Sequence, residues 1–324
     1  MQSPDKGLFS QAAMVLLSRV PSADEVKQAL LLACPTEARS TRGGQNGYEG
    51  DPLLVLPFQP EKNGYLLVDI VERPWPDSLE NTVGEPELTD AWKAGHFGPL
   101  SYSDCLRRSA LQSWKWKAGR RIGEKHSAFL RLRLTYLLGV SRADKSLSVL
   151  EMPDPLRELH FVTQAAASLL TLRGALCLFY PGGEALRDAA FVEERLNLHR
   201  GGGPPPIDVW TNIRFQQVDA SGSWAIMDTV GMAQMGLPDL EAAFPQDKQE
   251  RFPAPEVEAF LRNQSLRLLS DHEAFAHPVS LPGPGGTTWR SVLLTQGFSA
   301  PTREVIRFLP RTLLRPPRTL RSNA

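Results

Sequence analysis

The residues whose types could do chemistry are scattered along this chain. Its six histidines, His96, His126, His160, His199, His272 and His277, include no H-x-x-x-H or H-E-x-x-H pair that would present two imidazoles to one metal from a helix face. The run DHEAFAH sets His272 and His277 beside Asp271 and Glu273. Charged loops collect such sets by chance, and no metal is expected. G-x-S-x-G is absent, so no serine sits on a strand-to-helix elbow as a nucleophile. GGGPPP (201–206) follows a helix and lacks the lysine of a phosphate loop, so it reads as a linker. YPGGEAL (180–186) joins a strand to a helix, where backbone amides can hold an anion. No lysine follows it, and Glu184 already meets the positive end of the helix read over 183–200. No catalytic residue and no cofactor are expected.

Charge and motif remain. From Arg107 to Arg133 there are nine Lys or Arg against one acid, Glu124, with Trp114 and Trp116 interleaved in SWKWK. Cations alternating with aromatic rings can grip single-stranded nucleic acid. Acids gather elsewhere: Glu184, Asp188, Glu193 and Glu194 on one helix, then Asp239 and Glu241. Such faces steer a basic protein partner, for example a nuclease, onto the surface, and these six are the expected partner-binding residues. The stretch MDTVGMAQMGLPDLEAAF (227–244) is the most distinctive. Gly231, Gly236 and Pro238 punctuate it as a backbone corner, with Met227, Met232, Met235 and Leu237 as apolar anchors. Pro238 at a first-turn position, followed by Asp239 and Glu241, reads as a turn into a short helix.

The elements that must position these residues follow from periodicity. AMVLLSRV (13–20) reads as a strand, and Ser22 with Glu25 forms a capping box for the helix after it. Residues 53–58 and 65–72 form a hairpin across Asn63-Gly64, and 40–51 is a loop. In 125–140 Phe129, Arg131 and Arg133 alternate with leucines, a strand with its arginines outward. Helices are expected over 156–175 and 253–270, a strand at ALCLFYP, a hairpin joining IDVWTNIRFQQVD to SWAIMDTVGM, and terminal strands at TTWRSVLLTQG and EVIRFLP. Together these give an α+β protein of two halves, residues 1–150 and 151–310, each a mostly antiparallel sheet with helices packed on one face, and a flexible basic tail at 311–324.

Composition narrows the class. The chain has 324 residues, 42% hydrophobic and 22% charged, enough to bury a sizeable core. Lys+Arg and Asp+Glu are both 36, which argues against nucleic acid or an anionic membrane as the main partner. Cys34, Cys105 and Cys177 have no CxxC spacing, and no apolar run reaches the ~18 residues of a membrane span. A cytoplasmic protein is expected.

The pieces HFVTQAAASLLTLRGALCLFYPGGEAL, the tryptophan of DVWTNI, and TVGMAQMGLPDLEAAF resemble the C-terminal domain of a bacterial family known only as a domain of unknown function. ELTDAWKAGHF and KHSAFLRLRL resemble its preceding half. That family has no established catalytic residues. In size and two-part build such proteins resemble cytoplasmic immunity proteins that neutralise antibacterial toxins, including those delivered by type VI secretion. The resemblance implies a non-enzymatic protein whose partner is a cognate toxin. The alternative is an enzyme or small-ligand sensor with a pocket between the halves, lined by His160, Tyr180 and Asp228.

Overall fold

Every residue of the first strand, β1 (Gln11–Leu17), is buried, and apart from Gln11 both alternating sets of side chains are apolar. A strand buried along its whole length must be covered on both faces. The computed structural model, which describes residues 8–33, 39–40, 52–78, 86–114, 116–138, 154–218, 222–246, 251–312 and 315–320, shows how this is done. Two compact units divide at Trp210/Thr211.

In the first unit β1 is followed by α1 (Ala23–Ala33), whose capping box closes as expected. The Ser22 N–H donates to Glu25 at 2.7 Å, and the Glu25 N–H donates to the Ser22 hydroxyl at 3.2 Å. Strands β2 (Arg39–Ser40), β3 (Leu54–Gln59), β4 (Gly64–Val71) and β5 (Ala128–Thr135) come next, then β6 (Ala175–Tyr180) and β7 (Ala185–Arg187). Their order is β2-β3-β4-β5-β1-β6-β7, antiparallel throughout. Asn63 takes the left-handed conformation at φ 58° and turns β3 into β4. The loop expected over 40–51 lies almost wholly outside the described residues.

On one face Met14 and Leu16 of β1, Val71 of β4, Phe129 of β5 and Phe179 of β6 pack against α2 (Pro86–Lys93), α3 (Cys105–Leu111) and α4 (Ile122–Lys125) through Leu88, Ala91, Leu106 and Ile122. On the other face α5 (Pro155–Leu169) lies over β1, with α1 beside it. There the Gln11 side-chain amide donates to Glu158 at 3.2 Å. Helices thus cover both faces of this sheet. The unit closes with α6 (Ala189–Arg200) and α7 (Ile207–Trp210); the Trp210 indole N–H donates to the Thr163 hydroxyl of α5 at 2.8 Å.

This moves the boundary from the expected 150/151. Strand β6 returns to pair with β1, and α5 and α6 pack on that same sheet. Long-range pairing of this kind leaves no local mark in the sequence.

The second unit holds β8 (Asn212–Gln217), β9 (Trp224–Val230), β10 (Asp239–Pro245), α8 (Ala254–Ser270), β11 (Ser280–Gly283), β12 (Thr287–Leu294) and β13 (Val305–Pro310), in the sheet order β11-β12-β13-β10-β9-β8. Only the β10–β13 pairing is parallel. Helix α8 covers one face, where Phe260 meets Trp289 and Phe308 at ring centroids 5.2 and 5.3 Å apart. The opposite face carries Trp224, Ile226 and Ala243 under Leu320 and Phe298. Leu320 is fully buried, and its carbonyl accepts from Arg307 at 3.3 Å. Within the basic tail expected to be flexible, Leu320 is therefore docked. It finds an apolar patch that composition alone does not reveal.

Candidate functional site

The distinctive 227–244 stretch is a structural corner. Strand β9 ends at Gly231, whose φ of 120° is open only to glycine, and a short 3₁₀ turn, Met232–Met235, stops at Gly236 in the left-handed region at φ 75°. Met227, Met232, Met235 and Leu237 are buried as expected. Asp239 and Glu241 lie on a strand rather than at a helix start, which corrects the reading of Pro238 as a first-turn residue. Pro238 has no N–H to donate at the entry to β10, and that requirement suits a strand end as well as a helix start.

Once on the strand, the acids turn inward. Asp239 accepts from the Thr229 hydroxyl at 2.8 Å, the Met232 N–H at 3.1 Å and the Arg303 Nε at 3.1 Å, which ties the corner to the loop before β13. Asp228, opposite Glu241 in the register, accepts from Arg214 Nε at 3.0 Å and from Arg214 Nη2 and Arg303 Nη2 at 2.5 Å each. Burial would raise the Asp228 carboxyl, but the Arg214 and Arg303 charges outweigh it and hold the group below the usual aspartate range. Asp239 and Glu241 have fewer cations close by, and burial raises both carboxyls. Glu241 accepts from Arg307 Nη2 at 2.7 Å and from the Phe298 N–H at 2.6 Å. The three carboxylates and three guanidiniums clamp the 297–303 loop over the sheet.

The same pattern holds in the first unit. Arg131 and Arg133 point into the α2–α4 face, not outward to solvent: both are bonded to Asp69, and Arg133 donates to His96 Nδ1 at 2.8 Å. Period-two alternation identified the strand, while the cover over its arginines comes from residues more than thirty positions away. Burial would raise Asp69, yet the Arg133 and Arg131 charges hold it low; burial pushes Arg133 down to about 10 against the pull of Asp69. Glu184 sits in the left-handed position of the turn between β6 and β7, at φ 46°, and not at a helix start; it is bonded to Arg108 Nε at 2.6 Å.

Of the six acids expected to meet a partner, Glu184, Asp239 and Glu241 are at most 1% exposed and neutralised from within. Asp188 caps α6 by accepting from the Phe191 N–H at 2.8 Å. Glu193 and Glu194 are exposed, and Glu194 lies 3.4 Å from Arg195. No continuous acidic face results. Among the residues of the alternative reading, the Tyr180 hydroxyl is buried against Thr163 at 2.7 Å and Asp228 lies in its ion network. The half-buried His160 ring stacks edge-on with His199, centroids 5.2 Å apart. Among the described residues no group of three or more His, Cys, Asp or Glu side chains could hold a metal.

The exposed chemistry lies instead around α3 and α4. Arg108 of this basic run is turned inward, as are Arg131 and Arg133 further on, but Lys117, Arg120, Arg121 and Lys125 are exposed. With them stand Tyr102, Leu111 and Trp114, which are 40%, 65% and 37% exposed. Between α3 and α4 opens a cleft of about 620 Å³ lined by Pro74, Trp75, Leu106, Ala110, Leu111 and Arg120, with Asp77 and His126 among its polar groups. Asp77 caps α3 from outside the helix, accepting from the Leu106 and Arg107 N–H groups at 2.7 Å each. Burial raises its carboxyl, and the two amides oppose that. His126 Nε2 accepts from the Trp75 N–H at 2.8 Å, and Nδ1 donates to the Ile122 carbonyl at 2.9 Å. Burial lowers this imidazole below its ordinary range, which keeps it neutral and able to accept. The tryptophans interleaved with lysines in SWKWK were the sequence signal for this surface; Trp75 and Leu111 gave none.

Comparison of the chain with protein-family models, with curated proteins and with solved structures returned no match. No helix among the described residues is long and apolar enough to cross a membrane.

Proposed function

We propose that this protein acts by binding another protein, without catalysis of its own, and that the partner is an antibacterial toxin of the kind delivered by type VI secretion, neutralised in the cytoplasm. The reading is carried by the exposure of Tyr102, Leu111 and Trp114 at the two ends of α3, in the same chain segment as the exposed cations Lys117, Arg120, Arg121 and Lys125. Aromatic and arginine side chains dominate the energetic centres of protein interfaces, where Lys and acidic residues contribute less. The toxin class comes from the sequence resemblance. Because the exposed charge here is basic, the complementary surface is an acidic face of the toxin, such as one that flanks or occludes its active site. Co-expression with the toxin encoded beside it tests the reading: growth should be restored by the wild-type chain and lost with the Leu111→Asp, Trp114→Ala double variant. Growth arrest in the presence of the wild-type chain contradicts the reading.

A further inference from the structure

The α3–α4 cleft has features that a protein interface does not require. Its volume of about 620 Å³ lies in the range of small-molecule sites. Pro74, Leu106, Ala110 and Leu111 give it carbon walls. One charge at it has no counter-charge within the described residues. Arg120 is exposed and has no ion-pair partner among the described residues. The other charged groups lining the cleft have partners within the protein: Arg107 meets Asp104 at 3.2 Å, Glu124 meets Arg121 at 3.0 Å, and Asp77 accepts from two backbone amides, while both nitrogens of His126 are bonded to backbone groups. A guanidinium with no ion pair, among charges that are otherwise paired, favours an anion over a cation. A guanidinium matches a planar carboxylate with two parallel hydrogen bonds.

We propose that this cleft is a binding site for a small apolar carboxylate, its hydrocarbon part between Leu106, Ala110 and Leu111 and its carboxylate on Arg120. The cleft shares Leu111 and Arg120 with the surface of the protein-partner reading, yet the inference does not need that reading.

Gly123 provides the test. It lines the cleft, lies in α4 with an ordinary helical φ, and a Cβ built on it meets no atom within 4 Å. A bulky side chain added at this lining residue has open space around it and meets no backbone strain. Isothermal titration of the full chain with naphthalene-2-carboxylate should show saturable binding of one ligand per chain, with the neutral naphthalene-2-carboxamide at least about tenfold weaker. Gly123→Phe should abolish binding and Gly123→Ala should keep it. Arg120→Ala should weaken binding roughly ten- to hundredfold, with partial recovery in Arg120→Lys. Thermal melts confirm that each variant is folded; if Gly123→Phe is not, the Arg120 pair decides. No saturable binding by the wild-type chain, equal binding of acid and amide, or binding that a folded Gly123→Phe or Arg120→Ala variant retains in full would overturn the proposal.

Discussion

Replacing Asp228 by Asn tests whether the buried charges are architecture. Its carboxylate is fully buried and receives three guanidinium contacts from Arg214 and Arg303, at 2.5 to 3.0 Å. The amide keeps the shape but loses the charge, and it turns an N–H₂ toward groups that can only donate. Asp239 then remains to face Arg303, and Arg214 keeps the neutral Ala300 carbonyl at 2.7 Å. Breaking a buried pair on one side costs about 3–5 kcal/mol, because the partner charge stays buried and uncompensated. Against a total stability of about 5–15 kcal/mol this is a large fraction. With a urea m-value of about 2 kcal/mol/M, the midpoint should fall by roughly 1.5–2.5 M. The exposed Arg121–Glu124 pair gives the contrast: Glu124→Gln should move stability by no more than about 0.5 kcal/mol. The pH dependence has a definite sign. Asp228 is held below its unfolded value, so its contribution is present above the ordinary aspartate pKa of about 3.9 and is lost as pH falls through the lower folded value. The Asn variant should lack that component. A cost below about 1 kcal/mol would refute the claim that this network fixes the fold, and would return these groups to the list of functional candidates.

Three further outcomes follow from single residues. Gly231→Ala should destabilise by about 1–3 kcal/mol and Gly236→Ala by about 1, since Gly231 lies well outside the left-handed well that Gly236 occupies; equal thermal-melt losses would contradict the corner geometry. His126 is held neutral below its unfolded pKa of about 6.5, so its contribution is intact above that value and is lost as pH falls through the lower folded one; a His126→Gln chain should lose less stability than the wild type between pH 7 and pH 5 in urea titrations. Truncation after Thr312 should cost roughly 1.5–3 kcal/mol by uncovering Trp224 and Ile226 from Leu320, and an unchanged melting temperature would mean that the tail is not docked.

What the sequence disclosed was local. Ser22 and Glu25 carry their capping chemistry within one turn, and Asn63-Gly64 carries its reversal within two residues, so both were legible. Alternation around Arg131 and Arg133 gave the strand but not the burial, which depends on Asp69 and His96 arriving from distant segments. The acids of the distinctive stretch misled for the same reason. Asp239 and Glu241 look like surface charges until Arg303 and Arg307, more than sixty residues on, are brought against them. The surface around α3 and α4 was half legible: its cations and Trp114 stand in the sequence, whereas the separation of inward Arg108 from outward Arg120 required Glu184 in place.

Affinity capture from the lysate of the source organism, run in parallel with the wild-type chain and the Leu111→Asp, Trp114→Ala variant and read by quantitative mass spectrometry, addresses the central claim most directly. The account predicts one toxin-like protein retained near stoichiometry by the wild type and lost by the equally folded variant. Equal retention by both chains, or none by either, would contradict it.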